Sequence, residues 1–260
     1  MNVNFVWKFM SETRRRYFLR LAGRIIALIG CGALAVLHPE SYDILDGMNF
    51  FSALNPLHLL WIIWVLDMLV QLLPIRNRVP LGSQKLFKFR FKPIREKINR
   101  EALMRYIHHT TRSAYKVMIL WVALIAAIGA LYHRGILADR SLFMITVLFY
   151  VCDLICVLIW CPFRLLMKTR CCTTCRIFNW DHLMMFTPML YLNGFYPRSL
   201  LLMSVAVWIL WEMCILIYPE RFWEQTNTAL RCSNCTDKLC SQYCRKLRPD
   251  SPYSKEKNHV

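Results

Sequence analysis

The chain has 260 residues, 57% of them apolar and 13% aromatic, with only eight glycines. This apolar share exceeds the roughly 45–50% of soluble domains, and its concentration in long runs excludes an ordinary soluble fold. The net charge of +17 raises a nucleic-acid reading, but the distribution of the basic residues argues against one, so no nucleic-acid partner is expected.

Residues 1–20 form a basic lead-in, with Trp7, Phe9 and Tyr17 suited to a membrane interface. Arg15-Arg16-Tyr17-Phe18-Leu19-Arg20 looks like a twin-arginine export signal, and Leu28-Ile29-Gly30-Cys31 like a lipoprotein cleavage box. Arg24 interrupts that apolar stretch and hydrophobicity continues through Leu37, which predicts an uncleaved first helix. Apolar runs then recur near 21–38, 57–73, 115–132, 141–161, 182–196 and 199–218. Crossing about 30 Å of hydrocarbon takes about 20 helical residues. The fifth run is short and carries Pro188, so it is expected to be kinked, tilted or re-entrant.

With a cytoplasmic N-terminus, only Arg134, Arg140 and Arg198 of the 33 Lys and Arg fall away from cytoplasmic segments or their membrane edge, leaving 30 on that side. The outer loops carry Glu40, Asp43, Asp46 and Asp139. This is a strong positive-inside pattern, and it accounts for the net charge. Were 182–196 not to cross, the basic tail would lie outside, against the same rule. The expected fold is an all-α polytopic membrane bundle of about six transmembrane spans, both termini cytoplasmic, in a plasma or inner membrane.

The expected organisation follows: the lead-in 1–20, a first helix pair 21–73, a cytoplasmic basic insertion 74–114 and a second pair 115–161. A Cys-rich loop 162–181, a hairpin 182–218 and a Cys-rich tail 219–260 complete it. In the insertion, Lys85-Leu86-Phe87-Lys88-Phe89-Arg90-Phe91-Lys92 alternates as a strand or an extended interfacial segment would. After Pro93, Ile94, Ile98, Ala102 and Tyr106 recur every four residues, predicting a basic amphipathic helix. Anionic lipid is the expected partner of residues 85–110, and a protein partner is also open.

Cysteines carry the most specific chemical signal. Cys172/Cys175 and Cys232/Cys235 are two Cys-x-x-Cys knuckles, and a hairpin between them would bring both to one membrane face. Four thiolates match the ligand set of a tetrahedral metal site, with Cys171, Cys240, Cys244 and Cys161 as alternates. Structural zinc is the leading cofactor; an iron–sulfur cluster and exchanging thiols are the alternatives.

Within the spans lie Arg24, Asp67, Gln71, Asp153 and Glu212, the ionisable ones at similar depth. Ionisable groups in hydrocarbon are expensive and face the interior in pairs or along an ion path, so these residues are expected to form a polar core. His38, His58 and His133 fall at outer span ends, where a metal or simple capping would use them. No Walker loop, nucleophile elbow or H-E-x-x-H is present, leaving catalysis unassigned. The residues together point to a membrane protein handling a proton, cation or small polar solute, a transport-type role. A redox protein with a cytoplasmic iron–sulfur centre, or an assembly factor acting through the basic face, are the alternatives.

Overall fold

The computed structural model describes residues 11–74, 81–95, 98–169, 171–235 and 239. Among these, 77% is helix and no strand forms. The first helix, α1, runs Glu12–Leu37. The Ser11 side chain caps it by accepting the Arg14 N–H at 3.2 Å, and it stops at His38, the residue before Pro39. α2, Leu57–Leu72, starts under Asn55, whose Oδ1 accepts the Leu57 N–H at 2.9 Å, and ends before Pro74.

The 34-residue α3, Arg100–His133, begins where the Asn99 side chain accepts the Ala102 N–H. It ends at Gly135, whose φ of +73° lets the chain turn out of the helix. α4 spans Asp139–Leu158. α5 is the six-residue Asp181–Phe186. α6 covers Phe195–Ile217 and stops at Tyr218, before Pro219.

Four of these helices, α1, α3, α4 and α6, are long and apolar enough to cross a membrane. Their outward faces are what lipid requires: Ile26 is 70% exposed and Leu216 75%. α2 has 16 residues, about 24 Å at 1.5 Å per residue, and falls short of full hydrocarbon thickness.

The expected span at 182–196 is not one helix. α5 gives way to a 3-10 segment, Thr187–Tyr191, because Pro188 lacks the N–H that would continue the α ladder. α3 supports this irregular stretch: Trp121 Nε1 donates to Thr187 Oγ1 and the Tyr191 hydroxyl to the Ile125 carbonyl, both at 2.9 Å. The insertion also differs from its pattern. Ile94 and Ile98 precede Asn99 and lie outside any helix, whereas Ala102 and Tyr106 belong to α3. No Gly or Pro interrupts 100–128, so the amphipathic turn runs straight into the third apolar run as one rod of about 51 Å. The alternating segment follows a helical turn, Leu81–Gln84, and contains a 3-10 turn, Lys88–Arg90, instead of a strand.

α1 and α4 pack antiparallel, Tyr17 and Leu21 meeting Leu154 and Leu158 while Tyr42, just past α1, donates to the Cys31 carbonyl and reaches Met144. α2 and α6 run parallel, tied by Trp61 Nε1 to Ser199 Oγ at 2.9 Å and by the Tyr196 hydroxyl to the Leu57 carbonyl at 3.0 Å. Trp64 of α2 is fully buried, with the Phe143 and Tyr150 rings of α4 and the Phe186 ring of α5 5.2–5.8 Å away. At one end of the bundle Phe195 N donates to the Gly47 carbonyl at 2.9 Å, docking the 39–56 loop on α6. A Cβ on Gly194 would sit 2.0 Å from the Leu45 carbonyl oxygen, a backbone atom that cannot rotate away. Gly194→Ala is therefore expected to lower stability by about 1–3 kcal/mol, read by thermal unfolding of purified protein. An unchanged midpoint would mean that this loop is not docked.

Candidate functional site

A cavity of about 460 Å³ opens between α1, α2, α4 and residues 177–185. Antiparallel packing sets Arg24 of α1 against two α4 residues one turn apart, Tyr150 and Asp153. Its Nη1 donates to Asp153 Oδ2 at 2.7 Å and to the Tyr150 carbonyl at 2.5 Å, and the guanidinium lies 3.8 Å from the Tyr150 ring centroid. The Tyr150 hydroxyl in turn donates to Asp67 Oδ2 at 3.2 Å. Gln71, one turn beyond Asp67 on α2, reaches the start of α5: its Nε2 donates to Asp181 Oδ2 at 3.2 Å and lies 3.2 Å from His182 Nδ1. Asp181 Oδ1 lies 3.3 Å from the same Nδ1. All six polar residues, Arg24, Asp67, Gln71, Asp153, Asp181 and His182, border the one cavity.

The charge balance is acidic: three carboxylates face Arg24 and a titratable histidine. His182 has two alternative partners at one nitrogen. Unprotonated, Nδ1 accepts from the Gln71 amide; protonated, it donates toward Asp181. The arrangement can therefore hold a proton in place, or a cation among carboxylates.

Glu212, expected in the same core, lies elsewhere. It accepts two bonds from Arg176, at 2.7 and 2.5 Å, and one from Trp180 Nε1 at 2.8 Å. The backbone turn 176–180 places both donors beside α6, and Trp211 Nε1 fastens that turn by donating to the Arg176 carbonyl at 2.9 Å. Nearby Lys85 is buried at 2% exposure, its ammonium 5.2 and 5.4 Å from the Trp211 and Phe222 rings. Burial lowers its pKa to about 8. A residue read as interfacial is thus enclosed, because the aromatic faces replace part of its hydration.

Five thiols also line the cavity, those of Cys152, Cys156, Cys161, Cys172 and Cys175. Polar surroundings, the Cys156 thiol first among them, lower the Cys161 pKa to about 7 against the opposing effect of burial. Burial pushes the Cys172 and Cys175 thiols the other way. Cys171 contacts Thr173 Oγ1 at 3.1 Å. The two Cys-x-x-Cys segments adopt the same 3-10 turn, closed by Cys175 N to the Cys172 carbonyl at 3.0 Å and Cys235 N to the Cys232 carbonyl at 3.3 Å. Among the described residues, no group of three or more His, Cys, Asp or Glu is placed to hold a metal ion. Cys240 and Cys244 lie outside the described residues.

The three outer histidines are separate. His38 pairs with Glu40 at 3.0 Å, His58 bonds the Phe50 carbonyl at 2.8 Å, and His133 packs edge-on against Tyr191. Asp181 and His182 were not singled out by the sequence reading. The signal available was their adjacency at the edge of an apolar run, a pattern that loops and helix N-termini share. No protein-family model, curated protein or solved structure matches this chain.

Proposed function

We propose that the chain is an integral membrane protein whose central cavity takes up a proton or a small cation. What carries this reading is the set of three carboxylates, one arginine and one histidine bordering a single cavity within apolar helices. Intramembrane ionisable groups of this kind mark ion or proton paths, and an excess of acid over base favours a cationic occupant. In this reading the chain crosses six times, α2 and the 181–193 segment completing the four long helices. The basic end then faces the cytoplasm, as the charge asymmetry requires.

The test uses full-length protein in nanodiscs and proteoliposomes. Thermal unfolding is followed while Na⁺, K⁺, Ca²⁺ or pH is varied at constant ionic strength, and proton flux is read with an entrapped dye. One of these ions should give a saturable stabilisation, about 2.7 kcal/mol at a hundredfold excess over Kd and read as a raised midpoint, or else proton flux should appear. Asp67→Asn combined with His182→Gln should abolish the response. Absence of both responses in the unmutated chain overturns the reading.

A second reading rests on the matching Cys-x-x-Cys turns: a structural zinc held by Cys172, Cys175, Cys232 and Cys235. Elemental analysis after anaerobic purification should find about one zinc per chain, lost in Cys232→Ser and in Cys172→Ser, since binding energy at such a site is also folding energy. Metal retained in Cys172→Ser would remove the shared site, and iron with sulfide would replace zinc by a cluster.

A further inference from the structure

The cavity holds more space and more hydrocarbon lining than a proton or a cation uses. Its volume of about 460 Å³ compares with about 30 Å³ for one water. Phe149, Leu154 and Val157 of α4, Trp121 of α3 and Val70 of α2 line it alongside the carboxylates. It reaches the end of the bundle where α1 begins and α4 stops, since Tyr17, Arg20 and Arg24, on successive turns of α1, all border it. Arg20 is exposed and lies about 6 Å along the axis from Arg24, at 1.5 Å per residue. Leu158, the last residue of α4, packs with Tyr17 and Leu21, which bracket Arg20. Just past that point Arg164 borders the same cavity from the short helix Phe163–Met167. α1 and the second half of α4 hold one carboxylate each, and both are taken: Glu12 pairs with Arg16 and Asp153 with Arg24. Only 11% of the apolar window of α1 is buried, so a bilayer reaches along this helix to the cavity beside it.

We propose that the cavity seats one acyl chain of an anionic phospholipid, with Arg20 and Arg164 holding its phosphate at the basic end of the bundle. Burial of the chain supplies little preference, because lipid tails are as apolar as the wall that receives them. Selectivity therefore rests on the headgroup. A guanidinium presents forked N–H donors that match phosphate oxygens, and its charge favours a lipid of net negative charge over a zwitterionic one. The occupant is a lipid and not a free phosphate, because the apolar wall matches a chain and the membrane delivers the headgroup at the depth of these arginines. Arg24 keeps its bonds to Asp153 and to the Tyr150 carbonyl, so the phosphate stops one turn short of it. The side of the cavity bordered by Asp67, Asp181 and His182 stays open to an ion.

The probe is phosphatidylglycerol with a photoreactive diazirine on its acyl chain, added in trace to full-length protein in phosphatidylcholine nanodiscs. After illumination, the label should map within the tryptic peptide 141–164 to Phe149, Leu154 or Val157. Phosphatidylcholine carrying the same diazirine should label these residues about fivefold less, a comparison made on the unmutated chain and independent of any variant folding. Arg20→Gln and Arg164→Gln should each lower the phosphatidylglycerol labelling about fivefold, the factor expected per arginine near a membrane surface. Arg105→Gln, on an exposed stretch of α3 outside the cavity, should leave it unchanged. Label confined to Leu148, Ile159 and Trp160, which are exposed on the outside of the bundle, overturns the proposal. Equal labelling by the two lipids, or an equal fall in Arg105→Gln, overturns it by showing diffuse attraction only. Displacement of the label by inorganic phosphate overturns it in favour of a site for free anions. None of these readouts uses an ion, Asp67 or His182, so absence of lipid labelling beside an intact ion response would overturn this proposal alone.

Discussion

Arg176→Leu should destabilise the protein by about 3–5 kcal/mol, measured by thermal or denaturant unfolding in detergent. The reason is the state in which it leaves Glu212. That carboxylate is 22% exposed, its partner's side chain 6%, and two of its three bonds come from the guanidinium. Removing Arg176 strands a buried charge, which is costlier than the pair was favourable. Replacing both residues with Leu removes the charge as well, so the double variant should recover most of the loss. The recovery measures coupling between the two side chains in a double-mutant cycle. A single-variant cost below about 1 kcal/mol would show that water reaches Glu212 and that the pair behaves as a surface bridge.

Arg24→Leu is the second large effect, toward the lower end of the same range of about 3–5 kcal/mol, because Asp153 borders the cavity and can recruit water there. Arg24→Lys should be clearly harmful too. An ammonium keeps the charge near Asp153 but loses the planar stacking on Tyr150 and with it the simultaneous bond to the Tyr150 carbonyl. The comparison separates charge from geometry: equal losses in Lys and Leu variants assign the effect to stacking and hydrogen bonding. An undisturbed Lys variant would assign it to charge alone. Asp153→Asn, which preserves shape and one acceptor, should lie between them and is read in the same unfolding experiment.

The apolar runs announced the four long helices because each is nearly continuous hydrocarbon over the length that a bilayer demands. Proline or the residue before it marked where α1, α2 and α6 stop. Arg24, Asp67, Gln71 and Asp153 were visible as candidates for the interior for one reason: a charge inside an apolar run must find a partner. Which partner was not visible. Arg24 meets Asp153 because α1 and α4 pack antiparallel, while Glu212, at similar depth, meets Arg176 from a loop that no periodicity describes. Depth along a helix is a one-dimensional property that the sequence carries by itself. The side of the helix on which a group finds its neighbour depends on which helices pack together, and only the tertiary structure decides that. The same holds for the thiols: spacing marked two Cys-x-x-Cys knuckles, but that Cys152, Cys156 and Cys161 share one cavity wall with Cys172 and Cys175 follows from the packing of the chain after α4. It also holds for Lys85, whose alternating neighbourhood reads as a strand or an extended interfacial segment. The packing of Trp211 and Phe222 over its ammonium, set by α6 and the turn that follows it, made that lysine part of the core.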